Sequence, residues 1–179
     1  PLRRLLPPLA AALIVALAPF VVPVSTQAQS SAGKRTLEIA DYAQWRTISG
    51  SQISDDGRWV AWAYSRVRGD DTLHVSALDS DASHVIALAS GAELSDDGAW
   101  VAYFLSPPFL KAEKLRRDDE TVTRQAGLLE LATGTSLTWD DASSFGFSEG
   151  SSHFFLKKRK TNDEVEHEGT DLILRNLRE

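Results

Sequence analysis

Apolar and polar positions follow a pattern along this chain that starts, stops and starts again. From Trp59 to Tyr64 the side chains alternate by face, with Trp59, Ala61 and Ala63 on one side and Val60, Trp62 and Tyr64 on the other. Both sides are apolar, which predicts a strand buried on both faces, as in a sheet held between two other sheets. Immediately before it stands Ser54-Asp55-Asp56-Gly57. The same order, Ser95-Asp96-Asp97-Gly98 and then an apolar run through Trp100 to Leu105, recurs 41 residues later. Asp side chains bond nearby backbone amides and Gly accepts a positive φ, so the tetrad predicts a tight turn.

Further strands follow each of these two. After the first, Gly69-Asp70-Asp71 reads as a turn, residues 72–78 as a third strand, 79–83 as a turn and 84–88 as a fourth strand. The second unit repeats this order with strands in 127–134 and 135–139. A fainter copy runs from Phe147 to Lys160, with Ser148 aligned to Ser54 and Ser95, and its third strand falls in Thr170–Leu177. Its turn is degenerate, and His153 and Phe154 stand where the other copies have Trp and Val. The lead-in from Leu37 to Gly50 reads as a helical turn or an edge strand.

Units of about forty residues with four antiparallel strands each are the signature of a β-propeller, in which stacking of neighbours buries faces that no unit covers alone. The expectation is an all-β, incomplete β-propeller with blades at about 51–91, 92–140 and 141–179, the last truncated before its fourth strand. On that reading the chain is a piece of a longer protein. The second and third serines lie 53 residues apart, and the extra length sits in Lys111–Gln125, a charged segment after Pro107-Pro108. It reads as a surface loop or short helix.

Composition adds the cellular setting. Arg3 and Arg4, an apolar run from Leu9 to Val24 and a small-polar stretch with Thr26 and Ala28 have the order of a secretory signal peptide, expected over 1–28 and followed by a lead-in over 29–50. Pro19 and Pro23 interrupt a run already short for a membrane span, so no stable membrane anchor is expected. The protein should be exported to the periplasm or the extracellular space. Without Arg3 and Arg4 the charge balance is 17 basic against 25 acidic residues, a net of −8. That surface argues against nucleic acid as a partner. The absence of cysteine excludes thiol catalysis and thiolate metal sites.

Several clusters of chemistry-bearing residues have simple structural readings. Asp55, Asp56, Asp96 and Asp97 could pair as acid–base or cation-binding carboxylates, but their fixed place before Gly and a strand makes them turn formers, and the spread of ligands a calcium loop needs is missing. His167, among Asp163, Glu164, Glu166 and Glu168, lacks a second His and reads as part of a solvated hairpin loop. His74, His84 and His153 read as packing or surface residues, and Lys157–Lys160 as a charged hairpin end. No cofactor, metal site or catalytic residue is expected.

Taken together, Asp41–Ile48, the two Ser-Asp-Asp-Gly strands, Gly69–Val75, Leu128–Gly134 and Thr170–Leu177 resemble the N-terminal propeller of the secreted prolyl oligopeptidase family of serine peptidases, in its dipeptidyl- and acylaminoacyl-peptidase branch. The resemblance implies a substrate-gating propeller, with peptide substrates, attached to an α/β-hydrolase domain that carries the Ser, Asp and His of catalysis. That domain is absent from this chain. Gly134–Thr138 comes nearest to a G-x-S-x-G elbow but lacks the second Gly, so no catalytic residue is carried over and enzymatic activity stays an open question for this segment. Some members of that family bind the substrate amino terminus with acidic residues of a propeller insertion, for which Glu113, Asp118, Asp119 and Glu120 lie in a comparable segment. The alternative is a non-catalytic periplasmic propeller of the TolB type that binds proteins. The roughly twenty residues between Ala28 and the first blade are too few for the extra domain that type carries.

Overall fold

The structure, a computed structural model, describes residues 35–160 and 170–178. The expected signal peptide and His167 lie outside the described residues. A short 3-10 segment, Ile39–Gln44, leads into strand β1 (Arg46–Ile53), so the lead-in contains both a helical turn and a strand. Strands β2 (Trp59–Arg66), β3 (Thr72–Ala77) and β4 (Ser83–Ala87) complete a first antiparallel sheet in the order β1-β2-β3-β4. The second sheet repeats the order with β5 (Ala89–Leu94), β6 (Trp100–Leu105), β7 (Gln125–Glu130) and β8 (Ser136–Trp139). Helix α1 (Phe109–Arg117) interrupts it between β6 and β7, beginning just before the charged segment and covering its first half. The third sheet holds β9 (Ala142–Phe147), β10 (His153–Lys158) and β11 (Leu172–Asn176), three strands among the described residues.

The two-faced apolar strands pack as their alternation requires. Trp59, Ala61, Leu73, Val75 and Ile86 form the leading face of the first sheet and meet Val101, Tyr103, Leu129 and Leu131 on the trailing face of the second. The leading face of the second sheet, with Trp100, Ala102, Phe104, Leu128 and Trp139, meets Phe145, Phe147, Phe154, Leu156 and Ile173 of the third. Each seam thus joins the fifth and seventh residues after one repeat serine to the sixth and eighth after the next. Phe154, Leu73, Leu128, Leu156, Val75 and Val101 are fully buried. Burial of such a side chain stabilises by about 1.5–3 kcal/mol.

Two close approaches replace a missing side chain with an aromatic ring. Tyr103 faces Gly127 across β6 and β7, and Phe155 faces Gly146 across β10 and β9, each ring lying where a Cβ would otherwise sit. The equivalent pair in the first sheet, Trp62 opposite His74, is a ring stack with centroids 5.3 Å apart.

Candidate functional site

The sheets present two unlike ends. At one end lie the Ser-Asp-Asp-Gly turns, at the other the long connections and α1. The first turn closes through Ser54: its amide donates to Trp59 O (2.9 Å), and its Oγ accepts from Trp59 N (2.9 Å) while donating to Asp56 Oδ1 (2.6 Å). The same oxygen accepts from Arg58 N, and the Arg58 guanidinium holds Oδ2 at 2.6 Å. These donors lower the Asp56 pKa to about 2, with the Ser54 hydroxyl contributing most and the Arg58 amide next. Ser95 and Asp97 repeat the arrangement, with Ser95 Oγ to Asp97 Oδ1 at 2.6 Å and Trp100 N to Ser95 Oγ at 2.9 Å.

The degenerate third turn keeps the same backbone bonds. Ser148 N donates to His153 O, Ser151 N to Ser148 O, and His153 N to Ser148 Oγ. Ser151 sits at φ +50°, where Gly57 and Gly98 sit at +70° and +63°. Ser151 is buried and its hydroxyl accepts from Asp96 N at 2.8 Å, so the second turn holds the third in place. Asp96 Oδ2 completes the contact by accepting from Gly150 N at 2.8 Å.

Three of the four turn carboxylates are therefore used as acceptors, Asp56 and Asp97 within their own turns and Asp96 between turns, while Asp55 is exposed. Among the described residues no group of three or more His, Asp or Glu is arranged to hold a metal ion. Among the described residues one hydrogen bond joins a serine hydroxyl to a histidine ring, Ser152 Oγ with His153 Nδ1 at 2.9 Å, but the two are sequence neighbours in the third turn. Among the described residues no carboxylate orients the other ring nitrogen of His153, as a catalytic triad requires. His84 bonds Leu131 O across the first seam at 3.0 Å, and His74 lies in its stack with Trp62.

At the opposite end, α1 is tethered to the first sheet by residues that sequence reading takes for a plain turn. Pro108 precedes the helix and offers no capping side chain; Asp70, in the β2–β3 connection, accepts from Phe109 N at 2.7 Å instead. Arg68 pairs with Glu113 at 3.1 Å and lies against the Phe109 ring. Asp118, Asp119 and Glu120 are exposed past the helix C-terminus, while Glu113 on α1 pairs with Arg68.

Beside α1 opens a cleft of about 570 Å³, lined by Leu105, Ser106, Pro107, Pro108, Lys111 and Asp141 among others. Leu88 and Asp141 sit on its wall at equivalent junctions between sheets, both with left-handed backbones at φ +64° and +59°. Leu88 O accepts from Ser106 N at 2.9 Å and Asp141 O from Arg159 N at 2.6 Å, which explains why both junctions keep this strained turn. The volume suits a small ligand or a few residues of a peptide.

Comparison with solved structures identifies the architecture. The described sheets match the β-propeller domain of the Trilobed protease from Pyrococcus furiosus, a domain described as having an open velcro topology, with a TM-score of 0.53 and 18% sequence identity over 75% of this chain and 40% of that one. An acylaminoacyl peptidase solved with Z-Gly-Gly-Phe-chloromethyl ketone matches with a TM-score of 0.50 and 16% identity, over 72% of this chain and 20% of that chain. The chain therefore spans well under half the length of these neighbours. No family model matches the sequence, and no curated protein matches it. The fold is that of a β-propeller, with the three sheets as successive blades.

Proposed function

We propose that this chain is part of the propeller of an exported serine peptidase of the prolyl oligopeptidase type, and that in the parent protein the propeller limits access of peptides to a separate catalytic domain. The observation that carries this reading is the fold match to propellers of two peptidases, joined to the residue-level resemblance of the repeats and lead-in. A second feature agrees with it. The first blade has all four strands from one contiguous segment, 46–87, and the Pyrococcus furiosus propeller domain is described as having an open velcro topology.

The roles divide accordingly. The turn end holds the blades in register, and the cleft beside α1 is where this segment would meet peptide. Catalysis belongs to the partner domain of the parent. Export rests on residues 1–28 as a signal peptide.

The deciding experiment treats the full-length parent protein with a fluorophosphonate probe and maps the labelled residue. Labelling of a serine beyond Glu179, together with hydrolysis of short peptides in preference to folded proteins, is expected. An unlabelled, inactive parent that binds other exported proteins would replace this reading with a TolB-like one. A reporter enzyme active only outside the cytoplasm, fused after residue 40, checks export; an inactive fusion removes the signal peptide from the account.

A further inference from the structure

Next to the cleft, at the start of β7, lies a smaller hollow of different chemistry. It measures about 280 Å³ and is lined by Thr123, Arg124, Asp141, Ser143 and Arg159 among others. Thr123 and Asp141 line the cleft as well, so the two spaces share a wall at the junction of blades two and three. Arg124 is held in place there without a ligand. Its Cζ lies 3.5 Å from the centre of the Phe104 ring, and its Nη2 donates to Ser143 O at 2.9 Å across the seam. An arginine carries five N–H donors, and one already fixed by a ring and a carbonyl loses little freedom when the others are used. Arg159 is placed through its backbone, whose amide donates to Asp141 O at 2.6 Å. Among the described residues neither guanidinium has a carboxylate within ion-pair distance. Two guanidinium groups against the single Asp141 carboxylate leave the hollow net positive, on a chain whose formal charge is −6. A concave site with a preorganised planar fork of donors suits a carboxylate.

We propose that this hollow binds the C-terminal carboxylate of a peptide whose preceding residues lie in the cleft. The proposal rests on the reading that peptide meets this segment beside α1. Arg124 takes the carboxylate with its free N–H groups, and Arg159 adds a second positive charge at the rim. Asp141, on the shared wall, accepts a backbone amide of the peptide, and Leu105, Pro107 and Pro108 of the cleft receive its side chains. A carboxylate at that place exists only at a chain end. The propeller therefore favours peptides that present a free C-terminus over internal segments of long chains, which gives the limit on access a chemical basis. An acidic side chain or inorganic phosphate offers similar oxygens, and the test separates these sources.

The experiment is fluorescence anisotropy with the full-length parent protein, treated with a fluorophosphonate so that no probe is consumed. Tetra-alanine labelled at its amino end and carrying a free carboxylate should bind about 10- to 100-fold more tightly than the same peptide as its C-terminal amide. Arg124→Gln and Arg159→Gln should each cut that preference about tenfold while leaving the affinity of the amide unchanged, with circular dichroism as the check of fold. Should Arg124→Gln misfold through loss of its contact with Phe104, Arg124→Lys keeps the charge without the planar fork and should cut the preference by a smaller factor. Equal binding of acid and amide overturns the proposal, as does a preference that survives every arginine variant or an absence of binding by either peptide. An amide peptide ending in Glu that binds as tightly as the free acid would assign the hollow to acidic side chains and overturn it too. So would inorganic phosphate that binds at the two arginines while acid and amide peptides bind alike. None of these readings depends on turnover, so a parent that the fluorophosphonate leaves unlabelled removes the peptidase reading without deciding this one.

Discussion

The seam between blades one and two and the seam between blades two and three join the same repeat positions with different chemistry. The first is mainly aliphatic, built on Leu73, Val75, Val101, Leu129 and Leu131. The second is aromatic: Phe104 meets Phe145 with ring centroids 4.4 Å apart, and Phe154 lies 5.4 Å from Trp139 and 5.8 Å from Phe147. The turns differ in parallel. Gln52, two residues before the first repeat serine, donates from Nε2 to Ala92 O at 2.6 Å across the first seam. Glu93 holds the equivalent place at the second seam and accepts from the Phe147 amide instead. At the third copy the place is empty of side chain, because Gly146 lies under the Phe155 ring. What the repeat preserves is the parity of its strands and the backbone of its turn, while the side chains that complete each seam are free to change. Blade stacking is set by geometry first.

The largest test of this difference is truncation of the cores. Phe154→Ala should destabilise the chain by about 3–5 kcal/mol and Leu73→Ala by about 2–5 kcal/mol, read from urea midpoints, with the aromatic seam losing more. An order reversed between the two would mean that the aliphatic seam, and not ring packing, anchors the arc. Next in size is a pair of glycine substitutions. Gly57 and Gly98 both have positive φ, so replacement by Ala costs each about 1 kcal/mol. At Gly57 a Cβ meets open space, whereas at Gly98 it would come within 2.5 Å of Asp56 Oδ2 from the first turn. Gly98→Ala should therefore be the worse of the two by about 1 kcal/mol, through the turn-to-turn contact. Equal losses would show that the first two turns do not touch in solution.

Smaller still is the hydrogen-bonded latch of the second seam. Asp96→Ala removes the acceptor for Gly150 N and should cost about 0.5–1.5 kcal/mol. Its clearest signature is faster amide hydrogen exchange at Gly150 with no change in the first turn. Unchanged exchange there would leave Ser151 as the sole tie between turns two and three.

How much of this was legible in the sequence follows from the range of the forces involved. The strand parity of Trp59–Tyr64 and the turn chemistry of Ser-Asp-Asp-Gly are local, so both the blades and the structural role of Asp56 and Asp97 could be read directly. The third turn looked degenerate because its signal residues are gone. It survives because Ser151 takes the left-handed place of the glycine and Asp96, 55 residues away, supplies the partner. Asp70 carries no sign in the sequence that it caps a helix starting 39 residues later. The cleft likewise draws on the ends of β4, β6, β7 and β8 at once, and the left-handed Leu88 on its wall contradicts the local preference of leucine. Contacts of that separation are decided by the fold and leave no pattern in any one segment.

The subtlest difference between the seams is their response to pH, and it lies in two carboxylates whose pKa values shift in opposite directions. Partial burial pushes the Glu93 pKa up, against the hydrogen bond from Phe147 and aided by the nearby Asp96 carboxylate. The folded protein thus holds the Glu93 proton more tightly than the unfolded chain does. The stability this contributes is fully present below the unfolded value of about 4.5 and is lost as pH rises through the folded value. Asp56, lowered from 3.8 to about 2, acts the other way: its contribution is present above about 3.8 and is lost as pH falls toward 2. Glu93 is largely exposed as a residue, so solvent screening keeps its effect small. Glu93→Gln keeps an acceptor for Phe147 and copies the Gln52 of the first seam. It should flatten the decline in urea midpoint above about pH 4.5 while leaving the fall below about pH 3.8 in place. A variant that changes only the acid limb would assign the pH response to the first turn and leave the two seams alike in this respect.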